Sequence, residues 1–285
     1  DDVDIAVRAD AHEVGKGLAD RMGGRFVSLD EGFDIARVVI SVEGRRSYID
    51  LSSYDSDISA DLSRRDFTAD AMAVALAGKH NAEWKLIDPH GGCTDTQNRV
   101  LRSVSKNVFQ ADPARLMRAV RLAATLKFSL HSETATQIRV DSHMVNSVSP
   151  ERVREELLKT LAEDGARDSI RLLDDLGLLS CVIPELEETR GVSQPKEHHW
   201  NVFEHMVETV NYLEQILDQR PADRVISQHM PSFAGMRDHF AEEVSDGHNR
   251  RTLLKLTGLL HDIAKPRTKT IEESGRMRFF GHSEE

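Results

Sequence analysis

Hydrophobic positions recur along this chain with two spacings, and the change between them marks its organisation. Up to about residue 90 they alternate or run together in short stretches. Residues 4–7, Asp-Ile-Ala-Val, read as a strand, and the β-branched run 35–42 as another. Glu43-Gly44 supplies a turn and residues 46–51 a returning strand, so this pair predicts a β-hairpin. Residues 11–22 have helical spacing, with Gly23-Gly24 at the C-cap position. The Ala-rich stretch 67–76 predicts a further helix. Residues 1–92 therefore read as a small α+β domain.

Beyond Gly91-Gly92 the period becomes helical. Residues 114–128 form a strong amphipathic pattern opened by Asp112-Pro113, an N-cap residue followed by N1. Ser149-Pro150-Glu151 opens another helix in the same way, to about residue 161, and 168–178 predict a third. From residue 95 onward the pattern predicts almost only helices. Residues 184–195 gather Pro, Gly, Ser and Gln and read as a linker, while 218–249 are polar and His-rich and read as a long insertion.

Composition narrows the function classes. A chain of 285 residues suits about two domains. With 30% charged and 39% hydrophobic residues it is globular in composition, and no apolar stretch approaches the roughly 18 residues of a spanning helix. The first residues carry neither a basic nor an apolar signal region, and the two cysteines, Cys93 and Cys181, lie far apart. A cytoplasmic protein with no membrane partner is the expectation. The 37 basic and 48 acidic residues leave a net charge of −11, which excludes a general nucleic-acid coat. Any nucleic-acid surface has to be a local basic patch.

Three groups of residues carry candidate chemistry. Asp2 and Asp4 stand two apart on a strand and so share a face; Asp50 lies in a later strand, and if that strand neighbours the first, three carboxylates converge. Carboxylates held so close repel one another unless a cation lies between them, as two-metal phosphoryl transfer requires. The alternative is a solvated acidic terminus. Arg64 and Arg65 precede the predicted helix at 67–76 and offer forked donors for a triphosphate, or ordinary surface ion pairs. Asp112, Arg115, Arg118 and Arg121 recur every three residues on one helix face, able to meet a base edge with acceptor and donors, or merely to cap and solvate the helix.

The order DVD, YID, DLSRRDFTADAMA, LIDPHGG, ADPARLMRAVRL, SPERVREELLK closely resembles the tRNA nucleotidyltransferase/poly(A) polymerase family, the class II CCA-adding enzymes and their relatives, over roughly residues 1–190. The resemblance implies a polymerase-beta-like nucleotidyltransferase head at 1–92 and a helical nucleotide- and RNA-binding neck at 93–190. It implies catalytic roles for Asp2, Asp4 and Asp50, with Mg²⁺ on Asp2 and Asp4. Arg64, Arg65, Asp66 and Asp70 fall in the ribose and triphosphate motif. Asp112 and Arg115 match the protein template for the incoming base, Arg118 and Arg121 the nucleotide pocket, and Glu151 and Arg152 a supporting helix. The chain departs from the pattern at three points. The Gly-rich and Arg motif that precedes D-x-D in the family would fall before Asp1, outside the given sequence; Asp70 replaces an Asn, removing an amide donor and adding negative charge; Ala111 replaces a Glu. The short stretch 51–60 is a feature of members that add only part of CCA.

A last constellation is Glu204-His205, then Leu-Leu-His261-Asp262, then His282. Imidazoles with a carboxylate suit a divalent transition metal. The pattern resembles the HD superfamily of metal-dependent phosphohydrolases, which implies a helical HD domain at 191–285, expected to be incomplete, with His205, His261 and Asp262 as ligands and His282 as a further one. The leading expectation is an enzyme adding CMP and/or AMP from CTP or ATP to an RNA 3′ end, tRNA above all. The alternatives are a phosphohydrolase acting on RNA-end or nucleotide phosphoesters, and a non-catalytic RNA-binding relative.

Overall fold

The computed structural model describes residues 2–30, 32, 34–55, 57–76, 84–195, 199–218 and 232–284. They divide into two compact units. One holds Asp1–Arg65 and Asp70–Gly92, the other Asp66–Ala69 and Cys93–Glu285. The chain thus passes from one unit to the other after residues 65, 69 and 92.

The first unit is built on a four-stranded sheet packed against a helix. Its strands are β1 (Asp2–Val7), β2 (Arg25–Asp30), β3 (Ile35–Val42) and β4 (Arg45–Ser53), in the order β1-β4-β3-β2. β1 runs parallel to β4 and the other pairs are antiparallel. Alternation along β3 turns Ala36, Val38 and Ile40 to a buried face, where Leu51 of β4 joins them. Helix α1 (Ala11–Met22) belongs to this core through buried Ala11 and Ala19, with Val14 and Leu18 packed beside them. Gly15 lets the helix approach closely, since a Cβ there would stand 3.3 Å from the Phe26 ring. Two carboxylates hold the start of α1. Asp10 accepts from the Glu13 N–H at 2.7 Å and Asp34 from the Ala11 N–H at 2.8 Å. Gly23, at φ 63°, closes it in the left-handed conformation, as the sequence predicts. The predicted hairpin is β3–β4, and β2 is a strand that sequence patterning did not resolve.

The Ala-rich stretch 67–76 is not a helix. Phe67 bridges to Ser103, the Thr68 N–H donates to the Arg102 carbonyl at 2.8 Å, and Thr68–Asp70 make one 3-10 turn. Ala73–Ala75 then form strand β5, paired with β6 (Lys85–Ile87). Partners distant in sequence supply the backbone hydrogen bonds that a short helix would have made within itself, and they override a weak local propensity.

The second unit is mainly helical. Its core joins Phe67 with buried residues of α4 (Val108–Ala111), α5 (Arg115–Leu126), α6 (Ser132–Asp141), α7 (Pro150–Ala162), α8 (Ala166–Asp175) and α9 (Leu178–Val182). It continues through α10 (Glu185–Thr189) and α11 (Val202–Leu217) to Leu259 of a later helix, Arg250–Leu260. Residues 93–190 and those beyond 190 therefore share one core. Among the described residues, three short two-stranded ribbons interrupt the helices: Val100–Leu101 with Ser129–Leu130, Glu243–Ser245 with His248–Asn249, and Lys269–Ile271 with Met277–Phe279. The expected linker at 184–195 contains α10, anchored by fully buried Leu186 and Thr189. Of the expected insertion, residues 219–231 lie outside the described residues; the remainder contains the helix Met236–Ala241 and a ribbon. No described helix is long and apolar enough to cross a membrane.

Candidate functional site

One face of the sheet is occupied by the α1 core; the other carries polar residues. Asp4 of β1 and Asp50 of β4 are direct register partners. Neighbouring strands lie about 4.8 Å apart, so these positions bring two carboxyl groups side by side. Asp2 stands in register with Tyr48, and its side chain lies outside the described residues. Asp4 is exposed. Asp50 is not a bare carboxylate. Arg37, its partner on β3, donates from Nε to Oδ1 at 2.7 Å and from Nη2 to Oδ2 at 2.7 Å. Carboxylate oxygens from adjacent strands are the donor set that Mg²⁺ takes, so Asp4 and Asp50 fit such an ion once Asp50 yields an oxygen. Arg37 was missed in the sequence. Its signal was an isolated charge in a β-branched strand, placed opposite Asp50 by the two-residue Glu43-Gly44 turn.

Arg64 and Arg65 follow α2 (Ile58–Leu62), and both reach Asp61, at 2.9 and 3.5 Å. Arg64 is well exposed, and Asp70 lies exposed at the end of the 3-10 turn.

In the second unit Asp66 is buried. Its Oδ1 accepts from the Phe67 N–H at 3.1 Å and its Oδ2 from Arg118 Nε at 2.5 Å. Arg118 lies on α5, one turn from Arg115 and Arg121. Arg121 donates to Glu156 of α7 at 2.6 Å, and Arg115 reaches the Val108 carbonyl at 3.4 Å. Asp112 does not cap α5 in the expected way. The N-cap is Ala114, and Asp112 accepts from its N–H at 3.2 Å, an Asx-type turn just before the helix. Its other oxygen accepts from Arg152 of α7 at 2.8 Å. Partial burial raises the Asp112 pKa, but the Arg152 hydrogen bond, the Ala114 N–H and the charges of Arg152 and Arg115 together outweigh it and hold the group below the ordinary carboxylate value. Asp112 is thus ionised and held in place.

The C-terminal histidines converge. His205 of α11 and His261, at the end of the helix Arg250–Leu260, place ligand atoms within 4.8 Å of each other and of Asp262. Asp262 is buried. Its Oδ2 lies 3.3 Å from His205 Nε2, 3.1 Å from His261 Nε2 and 2.7 Å from Lys265 Nζ; its Oδ1 lies 3.4 Å from His282 Nε2. Burial alone would raise its pKa, but His261 and Lys265 hold it far below the carboxylate range. The Asp262 contact raises that of His261 despite burial. Nδ1 of His261 lies 2.9 Å from the Gly258 carbonyl and Nδ1 of His282 2.6 Å from that of Phe279. A carbonyl only accepts, so each Nδ1 carries its proton and each Nε2 faces the centre. That is how imidazole ligands are held around a divalent ion, and the donor set fits one. Lys265, whose Nζ also donates to Gln194 at 2.8 Å, was not anticipated; it brings a cation into the cluster.

Residues 1–102 match the model of the poly A polymerase head domain, and residues 127–189 that of the probable RNA and SrmB-binding site of polymerase A. The chain is 35% identical over 273 residues to an A-adding tRNA nucleotidyltransferase of Deinococcus radiodurans, an alignment covering 94% of this chain and 54% of that protein. It is 38% identical over 161 residues to a CC-adding tRNA nucleotidyltransferase of Geobacter sulfurreducens, covering 56% of this chain and 36% of the relative. A multifunctional CCA protein of Methylococcus capsulatus is 32% identical over 251 residues, 84% of this chain and 56% of the relative. The chain thus spans about half the length, or less, of these curated relatives. Among solved structures, a tRNA nucleotidyltransferase complexed with a primer tRNA and an incoming ATP analogue superposes with a TM-score of 0.65 at 23% identity, over 91% of this chain and 66% of that one. A CCA-adding enzyme with CTP gives 0.63 at 24%, over 84% and 58%. The fold is shared with these enzymes.

Proposed function

We propose, from the premise that this chain carries a poly A polymerase head domain and the RNA-binding segment of that polymerase, that it adds CMP and/or AMP from CTP or ATP to the 3′ end of tRNA. The observation that carries this reading is the Asp4–Asp50 register on the polar face of the sheet, within the matched head domain. Asp2, Asp4 and Asp50 would hold Mg²⁺, which when bound activates a terminal hydroxyl and neutralises the departing pyrophosphate. Arg64 and Arg65 offer forked donors for phosphate oxygens, with Asp66 and Asp70 in the same motif. Asp112, fixed by Arg152, accepts from a base edge while Arg115 donates to it; Arg118 and Arg121 line the pocket. The helical unit grips the acceptor end through backbone contacts without reading its sequence.

The test is incorporation of labelled ATP or CTP, supplied separately, onto tRNAs that lack CCA, end in CC, or are complete. Product lengths assign CCA, CC or A addition. Asp4→Asn is expected to lower incorporation about a thousandfold, the equivalent of roughly 4 kcal/mol, with an unchanged circular dichroism spectrum. Incorporation retained by the folded variant overturns the assignment.

A second reading rests on the His205–His261–Asp262 cluster, with His282 beside it. It is an HD-type centre holding a divalent transition metal and hydrolysing RNA-end phosphoesters, 2′,3′-cyclic phosphates among them. It requires phosphohydrolase activity that survives Asp4→Asn and is lost in His261→Ala. Absence of metal by elemental analysis of the purified protein removes this reading.

A further inference from the structure

The fork between Arg37 and Asp50 bears on how a metal could reach the carboxylates. Both oxygens of Asp50 accept from one guanidinium, each at 2.7 Å, and Asp50 is the register partner of Asp4. The guanidinium carbon lies 5.0 Å from the centroid of the Tyr48 ring. The Arg37 side chain is 34% exposed and that of Asp50 23%, so the pair is reachable from solvent. A carboxylate that ligates a divalent ion must give it an oxygen lone pair, and here both oxygens already serve a cation.

Building on the assignment of Asp4 and Asp50 as metal ligands, we infer that Arg37 is a resident cation that an incoming divalent ion displaces from Asp50. Two carboxylates on adjacent strands repel each other, and the guanidinium relieves that repulsion in the absence of metal. A divalent ion neutralises the pair more fully, but only after at least one N–H···O bond has been given up. Tyr48 offers the released guanidinium a cation–π contact, so Arg37 need not leave the site. Arg37 is thus a positioning residue. It keeps Asp50 aligned while the site is empty of metal, and it lowers the affinity of the carboxylates for metal.

The experiment is a titration of the whole chain with Mn²⁺ in the absence of nucleotide, reading the free ion by electron paramagnetic resonance. Arg37→Gln should bind Mn²⁺ about tenfold more tightly than the wild type, at a site abolished by Asp4→Asn. Arg37→Lys, which keeps the charge but loses the fork, should fall between them. Unchanged or weaker Asp4-dependent binding in a folded Arg37→Gln variant overturns the role of Arg37 alone. If Arg37→Gln fails to fold, Arg37→Lys decides, and binding no tighter than wild type overturns the inference. No Asp4-dependent Mn²⁺ binding in any variant overturns the ligand assignment itself, and the inference with it.

Discussion

Asp66 combines a place in the nucleotide-binding motif with a buried ion pair. As one letter in a motif it reads as part of a phosphate-binding string. In the fold it is 6% exposed, accepts from the Phe67 N–H and takes the Arg118 side chain at 2.5 Å. A buried carboxylate deprived of its cation is costly, so Arg118→Ala is expected to destabilise the protein by about 2 kcal/mol. The urea midpoint should fall accordingly, with partial recovery in Arg118→Lys. Strand periodicity places Asp4 and Asp50 on one face of the sheet, whereas Asp112 and Asp262 stand beside helices. Their cations Arg37, Arg152 and Lys265 were not read as partners. Pairing across elements is set by register and helix packing, which a linear pattern encodes only indirectly; Arg37 is the exception, because a two-residue turn fixed its register.

At the scale of elements, legibility followed locality. Helix α1 and the β3–β4 hairpin were predicted nearly to the residue, since Asp10, Gly23 and the Glu43-Gly44 turn act on neighbours in sequence. The stretch 67–76 and α10 were misread because their hydrogen bonds or burial come from distant segments. Asp34 makes α1 sensitive to acid. The Ala11 N–H, followed by the His12 side chain, lowers its pKa from 3.8 to about 2. A depressed carboxylate contributes its stability above its ordinary pKa and loses it as pH falls through the folded value. Asp34→Asn should therefore be less stable than wild type at pH 7, and the difference should shrink between about pH 4 and pH 2. Thermal unfolding across that range, followed by helical ellipticity, checks the window; a difference independent of pH would contradict it.

At the scale of the whole molecule, the second unit is tied together by one buried cation. Lys255, 0% exposed, lies 2.7 Å from Glu214 of α11 and donates to the Leu161 and Glu163 carbonyls at the end of α7. Glu214 in turn accepts from the N–H groups of Gly165 and Ala166 at the start of α8. Burial lowers the Lys255 pKa and Glu214 opposes that shift. Lys255→Met, similar in volume, leaves a buried carboxylate and two carbonyls without their donor, for an expected loss of about 3–5 kcal/mol by chemical denaturation. The double variant Lys255→Met with Glu214→Gln should recover part of it. Least legible of all was the route of the chain, which lends Asp66–Ala69 to the helical unit and then returns to the sheet unit. Because Phe67 is fully buried in a core whose other members run from Leu101 onward, the helical unit is not encoded as one uninterrupted segment. A coding break at residue 92 would deliver a helical fragment with a phenylalanine-sized hole, a defect of about 3–5 kcal/mol. Recombination, fusion and permutation of this lineage are therefore constrained to breakpoints that keep that four-residue loan intact.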